Sequence, residues 1–332
     1  MGDAVERILV TGATGFVPAN LVELLVGQGH DVIALHRGEL DERMTAVLRA
    51  GAGAAQPGEI TFVQGDVRDC FLVSGLFREY TPTHVVHAAV VTSTEEVERA
   101  QPRLVIETNE LSTVAMLAES AAIGVQRFVY LSSASAYAPN PDLSPLTEDA
   151  PLRESGGLYG LSKVAAERYC RWARETYGPD VRVVRPGPVY GPWERPTGSR
   201  VHMSPVYNAV HLALSGQPIR CNDRYAPRDH VHVHDVAHAI SLVLHTPDLA
   251  HDIYNIAGDN VTTEALLAAV AAAVPDTSIE WVDSAEDANF PVSAAVRGPL
   301  DMSRLRADTG YVQRFGIEDG VAEYVGWVRE QG

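Results

Sequence analysis

A tyrosine and a lysine four residues apart are the first residues in this sequence whose types and spacing suggest chemistry. Lys163 is the only lysine among 332 residues, so 25 of the 26 lysine and arginine residues are arginine. Tyr159 precedes it by four positions, and a helix would put both side chains on one face. Because an ammonium stabilises a nearby phenolate, the pair predicts a tyrosine with a lowered pKa that acts as an acid or base. An inert surface pair is the alternative.

The start of the chain has the order strand, glycine turn, helix, strand. Apolar residues 7–11 predict the strand, and Gly12 and Gly15 lie in the turn before the helix. This arrangement is typical of dinucleotide-binding units, in which the glycines let the backbone approach a pyrophosphate at the helix N-terminus. Pro18 stands where a third glycine is expected, and proline is tolerated in a first helical turn.

The residues that follow the second predicted strand, 32–35, bear on the choice of cofactor. An acidic residue at this point binds the ribose 2′-hydroxyl of NAD, whereas an arginine accepts the 2′-phosphate of NADP. The sequence has His36 and Arg37 here and no carboxylate. We therefore predict NADP(H) in preference to NAD(H). The alternative is that both side chains face solvent.

Polar or small residues follow several later strands. Apolar runs predict strands at 60–64, 84–87, 127–131, 181–184 and 253–256, and helices at 104–122, 158–177 and 263–274. Ligands bind beyond the carboxyl ends of the strands in open α/β sheets. We therefore expect Asp66 to approach an adenine, the small residues 88–89 to leave room for a cofactor, and the serines at 132–135 to hydrogen-bond a substrate.

Composition excludes several classes of partner. The net charge of −17 argues against nucleic acid and anionic membranes, because both need positive patches. Cys70, Cys170 and Cys221 form neither a disulfide framework nor a metal quartet, which fits a reducing compartment. The sequence has no apolar run of membrane-spanning length and no signal-peptide pattern. We predict a cytoplasmic protein that acts on a small molecule.

The motifs, taken in order, resemble those of the extended short-chain dehydrogenases/reductases, the NAD-dependent epimerase/dehydratase family that includes the sugar-nucleotide epimerases. The matching segments span roughly residues 7–260. They are Thr11-Gly12-x-x-Gly15-Phe16, Gly65-Asp66-Val67, His87-x-Ala89, Asn109, Ser132-Ser133, Tyr159-x-x-x-Lys163, Arg185-Pro186 with Val189-Tyr190-Gly191-Pro192, and Arg228-Asp229-x-Val231-His232-Val233-x-Asp235-Val236.

This resemblance implies an α/β fold, with a Rossmann-type doubly wound parallel sheet and a smaller C-terminal substrate-binding domain. We assign residues 1–187 plus about 230–257 to the dinucleotide-binding domain, and 188–229 plus about 258–332 to the substrate-binding domain. The resemblance also implies a homodimer in which the helices at 104–122 and 158–177 form a four-helix interface.

The resemblance further implies the roles of individual residues. Tyr159 is the general acid/base, Ser133 hydrogen-bonds the same substrate oxygen, and Lys163 binds the nicotinamide ribose and lowers the pKa of the tyrosine. The implied cofactor contacts are Gly12, Thr14, Gly15, Phe16, Val17, His36, Arg37, Asp66, Val67, His87, Ala88, Ala89, Asn109, Leu131, Tyr159, Lys163, Pro186, Gly187 and Val189. The implied substrate contacts are Thr92, Ser133, Ser135, Pro188, Trp193, Tyr207 and Arg228.

Some positions depart from the family's pattern. Pro188 replaces an asparagine that contacts nucleotide phosphates in many sugar-nucleotide epimerases, and Thr92 replaces a lysine found in some. No acidic pair follows Ser133, which disfavours dehydration. Arg228, in contrast, matches the family's pyrophosphate-binding arginine. The indications for a phosphate-bearing substrate are therefore divided.

Three alternating histidines, His230, His232 and His234, would share one face of a strand and so suggest a metal site. The Val-His-Val segment of the family, with its following aspartate, accounts for most of this stretch without a metal. We therefore predict no metal site.

Three functions follow from these residues. The first is hydride transfer at a secondary alcohol or ketone carbon of a nucleotide-linked sugar, by an epimerase or a keto-reductase. The second is an NADPH-dependent ketoreductase acting on a secondary metabolite. The third is a non-catalytic dinucleotide-sensing module, against which the intact Ser133, Tyr159 and Lys163 argue. Arg228 favours the nucleotide sugar, whereas Arg37, Pro188 and Thr92 favour a reductase.

Overall fold

A seven-stranded parallel sheet forms the centre of the molecule. The computed structural model describes residues 6–290 and 297–331. Within these ranges the strands of this sheet are β1 (Arg7–Thr11), β2 (Asp31–His36), β3 (Ile60–Gln64), β4 (His84–His87), β5 (Arg127–Leu131), β6 (Asp180–Pro186) and β10 (Ile253–Ile256). Their spatial order is β3-β2-β1-β4-β5-β6-β10. The order reverses between β1 and β4, which confirms the predicted doubly wound Rossmann-type sheet.

Two smaller sheets lie outside this one. Their strands are β7 (Val189–Tyr190), β8 (Ile219–Cys221), β9 (Pro227–His232), β11 (Asp259–Thr262) and β12 (Ile279–Trp281). β9 pairs with β7 in parallel and with β11 antiparallel, and β8 pairs with β12. Within the described residues, these five strands therefore form a part of the fold that is separate from the main sheet.

Helices cover both faces of the main sheet. They are α1 (Phe16–Gly27), α2 (Glu42–Ala50), α3 (Cys70–Tyr80), α4 (Glu95–Ala100), α5 (Pro102–Ile106), α6 (Ser112–Ile123), α7 (Leu158–Tyr177), α8 (Pro205–Leu214), α9 (Val233–His245), α10 (Thr263–Ala273), α11 (Ser303–Thr309) and α12 (Ile317–Gln331). None of those in the described ranges combines the length and hydropathy needed to span a bilayer.

Three hydrophobic clusters hold these layers together. One cluster, which includes Leu25 and Ile240, packs α1 and α9 against one face of the main sheet. A second packs α3, α6 and α7 on the other face, around Phe128. The third joins α8, α10 and α12 around Tyr324 and supports the C-terminal part. The division of the chain into two domains at residues 187, 230 and 257 stays a prediction.

The helix predicted at 104–122 is interrupted. Residues Glu107–Leu111 form a π-helical turn between α5 and α6. Single π turns inside helices are frequent at functional sites. This turn contains Asn109, and its consequence for the site is described below.

The predicted alternation of three histidines along one strand is wrong. β9 ends at His232, and α9 begins at Val233. The cause is local, because the His232 ring caps the new helix by accepting a hydrogen bond from the backbone N–H of His234. His230 and His232 therefore lie on a strand, whereas His234 lies in the first turn of a helix.

Candidate active site

A cleft of about 730 Å³ opens at the carboxyl ends of the main strands. Gly12 and Gly15 lie at its floor, and Gly12 has φ +66°, in the left-handed region that favours glycine. A Cβ on Gly12 would meet the Ala89 Cα at 3.0 Å. Gly15 precedes α1 without a side-chain cap, so the N–H groups of the first turn stay open to a ligand. The turn can accept an anion.

Ser133, Tyr159 and Lys163 line this same cleft. Tyr159 and Lys163 share a face of α7, as their spacing predicts, and Ser133 follows β5. The Ser133 side chain lies close enough to that of Tyr159 to lower the pKa of the phenol. A substrate oxygen that bound here would meet two hydroxyl groups, and a phenol hydroxyl is a group that can exchange a proton with a substrate.

The expectation that Lys163 lowers the pKa of Tyr159 is not met in this structure. Burial raises the pKa of Tyr159, and the Ser133 side chain and the charge of Arg200 oppose that rise only in part. Lys163 Nζ lies 5.8 Å from the Tyr159 ring centroid and donates instead to the Leu131 carbonyl at 2.7 Å. The ammonium is therefore directed to the end of β5.

Lys163 is itself strongly affected by its surroundings. It is 3% exposed, and burial lowers its pKa to about 7, although the nearby carboxylate of Glu167 acts in the opposite direction. Glu167 also forms a buried two-point ion pair with Arg185, with Nε to Oε1 at 2.9 Å. This ion pair ties α7 to β6.

Most of the predicted residues line the cleft. The predicted cofactor contacts found there are Gly12, Thr14, Gly15, Phe16, Val17, Arg37, Asp66, Val67, Ala88, Ala89, Leu131, Tyr159, Lys163, Pro186, Gly187 and Val189. The predicted substrate contacts found there are Thr92, Ser133, Ser135, Pro188 and Trp193. Among the described residues, His36, His87, Asn109, Tyr207 and Arg228 lie outside the lining.

His36 and His87 make internal contacts. His36 is 4% exposed, and its Nδ1 hydrogen-bonds the Gly38 carbonyl oxygen at 2.8 Å. The buried His87 ring lies between the hydroxyls of Thr11, at 2.8 Å, and Ser112, at 3.2 Å. Burial, with a smaller effect of Lys163, lowers the pKa of His87 to about 3, so the ring is neutral. Both rings therefore contact other parts of the protein and do not line the cleft.

The Asn109 side chain connects the segment after β4 to α7 by hydrogen bonds. Its side chain accepts from the Val91 N–H at 2.9 Å and donates to the Val91 carbonyl at 3.1 Å. It also donates to the Ser162 hydroxyl at 3.0 Å. The π-helical turn thus ties the segment after β4 to α7, one residue before Lys163.

Arg37 and Asp66, both predicted to contact the adenosine part of a cofactor, line the cleft but differ in their own contacts. Arg37 is exposed. Asp66 is bound by the guanidinium of Arg68 at 2.7 Å, and this hydrogen bond keeps its pKa below the usual range despite partial burial. Arg37 lowers it further. Arg37 therefore retains a guanidinium available to an anionic group.

Arg228 and Tyr207, both predicted substrate contacts, have other neighbours. Arg228 donates to the Asp223 carboxylate at 3.2 Å. Tyr207 stacks on His211 with ring centroids 3.8 Å apart. Trp193, in contrast, lines the cleft at a φ of +67°, with its indole edge-to-face against Trp327. Such a backbone conformation is unfavourable for a bulky residue and is typical of functional sites.

Sequence analysis missed Glu98. Its carboxylate accepts hydrogen bonds from the backbone N–H groups of Leu158, at 2.8 Å, and Tyr159, at 2.9 Å. The Ser93 hydroxyl donates to it at 2.9 Å. Burial raises the pKa of Glu98, but the two amide bonds outweigh this effect and the pKa is lowered. Glu98 therefore caps the helix that carries the tyrosine, from 60 residues away in sequence.

The segment Arg195–Pro205, which contributes Arg195 and Arg200 to the cleft, was also missed. Buried Glu194 accepts from the Arg200 guanidinium at 2.6 Å and from the Ser204 hydroxyl at 2.7 Å. The Thr92 N–H donates to the Ser199 carbonyl at 2.8 Å. No sequence motif predicts these contacts, because they form only when the segment folds back over the cleft.

Comparisons with known proteins agree with this geometry. The model of the NAD dependent epimerase/dehydratase family matches residues 8–257. The UDP-glucose 4-epimerase of Mycolicibacterium smegmatis is 28% identical over 329 residues, which are 98% of this chain and 99% of that protein. The dTDP-4-dehydro-6-deoxy-D-allose reductase of a Streptomyces species is 30% identical over 333 residues, 98% of this chain and 96% of that protein.

A solved structure extends the comparison to three dimensions. The UDP-glucose 4-epimerase of Thermus thermophilus, in complex with NAD, matches with a TM-score of 0.78 and 29% identity over 97% of this chain and 99% of that one. The family model covers most of the described chain, and the similarity extends over almost its whole length. The chain therefore belongs to the NAD dependent epimerase/dehydratase family and is an enzyme of the extended short-chain dehydrogenase/reductase type.

Proposed function

We propose that this enzyme transfers hydride at a secondary alcohol or ketone carbon of a nucleotide-linked sugar, with Tyr159 as the acid/base. One observation carries the proposal: Ser133, Tyr159 and Lys163 line the same cleft as the glycine turn. A proton-exchanging hydroxyl and an anion-binding turn in one cleft fit a reaction in which a dinucleotide lies beside the reacting carbon.

The residues at the glycine turn fit a nicotinamide dinucleotide. The close approach of Gly12 to Ala89 leaves no room for a Cβ, and the uncapped first turn of α1 offers N–H groups to a pyrophosphate. When bound, the cofactor supplies the acceptor or donor of hydride. We assign binding of the nicotinamide ribose to Lys163, whose ammonium donates to the Leu131 carbonyl at the end of β5.

The protein's own residues move the proton. Tyr159 gives a proton to the carbonyl oxygen of a ketone substrate, or takes one from an alcohol. Ser133 donates a hydrogen bond to the same oxygen and holds it at the tyrosine. Because burial raises the pKa of Tyr159, the phenol is protonated at neutral pH and ready to donate. Reduction of a ketone starts from this protonated form of the tyrosine.

A nucleotide sugar is the substrate class we propose. The similar epimerase and reductase are named for UDP- and dTDP-linked sugars. Although the protein has a net charge of −17, the described cleft lining includes the arginines Arg37, Arg195 and Arg200, and Lys163 in its protonated form, against the carboxylates Glu39 and Asp66. This local excess of positive charge suits the phosphates of both cofactor and substrate. Arg228, bound to Asp223, stays a predicted pyrophosphate contact.

We also propose NADP(H) as the preferred cofactor and a cytoplasmic location. Arg37 is exposed in the cleft and suits a 2′-phosphate. Cys70, Cys170 and Cys221 are all unpaired, as expected in a reducing compartment.

The test uses purified enzyme with NADPH or NADH and a panel of UDP- and dTDP-linked sugars and 4-ketosugars. A reductase consumes NADPH in step with product, whereas an epimerase interconverts sugars without net change in cofactor absorbance. Turnover of ketones that lack a nucleotide, with none of nucleotide sugars, would replace the proposal with the secondary-metabolite ketoreductase.

Tyr159→Phe is the matching variant. We expect kcat to fall by roughly 10²–10⁴-fold, because the acid/base is lost, while the dissociation constant of the cofactor changes little. Tyr169→Phe is the control, since it makes the same change on α7 at a partly buried residue outside the cleft lining. A near-normal kcat for Tyr159→Phe contradicts the assigned role.

A further inference from the structure

Residues 195–205 connect the start of α8 to the segment that follows β4, and most of them line the cleft. At one end of this stretch, the Ser204 side chain caps the N-terminus of α8. Further along, the Thr92 N–H donates to the Ser199 carbonyl at 2.8 Å, and Arg200 forms a parallel β-bridge with Thr92. The stretch is therefore attached at two places, and Arg200 lies at the second of them.

The Arg200 side chain lies between a buried carboxylate and the glycine turn. Its Nη2 donates to Glu194 Oε1 at 2.6 Å, and the Glu194 side chain is fully buried. Its Cζ lies 5.0 Å from the centroid of the Phe16 ring, a distance at which a cation and an aromatic ring attract each other. Phe16 is the first residue of α1, directly after Gly15. The guanidinium is thus held against the start of α1.

A positive charge at this place favours an anion beside it. The N-terminus of a helix carries a partial positive charge, and α1 has no acidic residue in its first turn. Arg200 adds a second positive group over the first residue of the same helix. Glu194 accepts from only one of the five N–H groups of the guanidinium, and the buried Nε has no hydrogen-bond partner among the described residues.

Arg200 is also close to the reacting tyrosine. Burial raises the pKa of Tyr159, and the charge of Arg200 opposes this rise. The guanidinium is therefore near both the glycine turn and the tyrosine, which line one cleft. A dinucleotide that extends from the glycine turn to the tyrosine passes this guanidinium with its diphosphate and nicotinamide ribose.

We propose that Arg200 binds the diphosphate of the nicotinamide dinucleotide, together with the N–H groups of the first turn of α1. The inference rests on the dinucleotide binding proposed above but not on the identity of the substrate. The planar fork of a guanidinium matches phosphate oxygens better than an ammonium does. Because Arg200 belongs to residues 195–205, the bound diphosphate also ties this stretch to α1, and the cofactor must break that contact to leave.

This role differs from that of Arg37. Arg37 is proposed to bind the 2′-phosphate, which only NADP(H) carries. The diphosphate is common to NADH and NADPH, so Arg200 should affect both cofactors equally. A nucleotide sugar carries a diphosphate as well, but the contact with Phe16 places Arg200 at the glycine turn and so favours the cofactor. Binding of UDP is therefore measured separately.

The experiment measures the dissociation constants of NADPH and NADH for the cofactor-free, full-length protein by fluorescence titration, without substrate. Arg200→Gln should weaken both at least about tenfold and by the same factor, because a charge-assisted contact is lost. Binding of UDP, measured by calorimetry, should change less than about threefold. Arg220→Gln is the matched control, since Arg220 donates to the Asp287 carbonyl outside the cleft lining and should leave all three constants unchanged.

A double variant separates the guanidinium from the fold of its surroundings. Arg200→Gln alone leaves Glu194 buried without its ion-pair partner, which is costly in itself. Arg200→Gln combined with Glu194→Gln removes that unpaired charge, and we expect it to bind both cofactors as weakly as Arg200→Gln. Recovery of binding in the double variant would show that the loss came from the buried carboxylate, and it would overturn the proposal.

Two further results would also overturn the proposal. One is cofactor binding by Arg200→Gln that stays within about threefold of the wild type, and the other is a loss confined to UDP. A wild-type protein that binds neither NADPH nor NADH would contradict the dinucleotide assignment itself, and this inference with it. A wild type that binds them, together with an unaffected variant, would contradict the role of Arg200 alone.

Discussion

Burial sets the proton chemistry of Lys163. Its pKa falls from the ordinary 10.5 to about 7 in the folded chain. Below pH 7 the folded protein keeps a buried ammonium at a cost in stability. Above pH 7 the folded chain releases this proton, whereas the unfolded lysine keeps its own up to about pH 10.5. Unfolding then takes up a proton, and this contribution to stability rises with pH.

Lys163→Met should remove that pH dependence. Between pH 6 and pH 9, we expect the free energy of unfolding of the wild type to rise by roughly 2–3 kcal/mol relative to the variant, because about two pH units lie between the folded pKa and pH 9. Denaturant titrations of both cofactor-free proteins at several pH values measure this. If the difference in free energy of unfolding between the two proteins does not change with pH, Lys163 has an ordinary pKa.

Arg37 provides the test of cofactor preference. If its guanidinium binds a 2′-phosphate, Arg37→Ala should lower the ratio of kcat/KM for NADPH to that for NADH at least about tenfold, because a charge-assisted hydrogen bond is lost. Arg43→Ala, an exposed arginine on α2 outside the cleft lining, is the control. An enzyme that prefers NADH, with a ratio insensitive to Arg37, would refute NADP(H).

Sequence spacing placed Tyr159 and Lys163 on one helical face, but it predicted the wrong pKa effect. The i, i+4 rule gives neighbours on a helix and says nothing of the depth at which they lie. Burial is a property of the packed molecule, and it dominates the proton affinity of both groups here. His36 was likewise placed near the cofactor by its position after the predicted strand 32–35, yet it ends β2 and its ring contacts the Gly38 carbonyl.

At the scale of elements, the N-terminus of α7 depends on Glu98. The carboxylate accepts two of the N–H groups that lack partners at a helix start, and its charge lies at the positive end of the helix dipole. Tyr159 is one of the two residues held in this way. The cap therefore positions the first turn of α7, in addition to stabilising it.

Glu98→Gln should lower kcat severalfold while the dissociation constant of the cofactor stays unchanged, because the tyrosine moves but the glycine turn does not. The helix should also lose about 0.5–2 kcal/mol of stability. Stopped-flow turnover and cofactor titration measure the two effects. Glu95→Gln on the same short helix is the control, since Glu95 is exposed and paired with Arg99. If kcat falls only in proportion to the fraction of folded protein, Glu98 stabilises the fold but does not position Tyr159.

Several element boundaries were predictable. Strands β3, β4 and β5 and helix α7 begin and end at the predicted residues, because each is an apolar or amphipathic run bounded by turn residues. The Glu98 cap was not predictable, since it joins residues 60 positions apart. The histidine alternation after residue 230 failed because a helix cap at His232 ended the strand.

At the scale of the whole molecule, the exposed face of α5, α6 and the turn between them supports the predicted homodimer. Ile106 is 36% exposed and Leu111 is 57% exposed. Apolar side chains exposed on neighbouring turns are typical of a surface that another chain covers. We expect a light-scattering mass near twice 35.8 kDa.

Leu111→Glu should shift this mass toward that of one chain, because a charge would enter the apolar interface. Val312→Glu, which changes an exposed valine outside these helices, should leave it unchanged. A wild-type mass of a single chain contradicts the dimer directly.

The position of β10 has a consequence for synthesis of the protein. This strand joins the main sheet beside β6, but it follows α9 in the chain. Until residue 256 has left the ribosome, β6 is an open edge whose backbone N–H and C=O groups can pair with a strand from another nascent chain. Truncated products that stop before this point are therefore expected to aggregate or to be held by chaperones, even though they contain the glycine turn, the serines and the tyrosine.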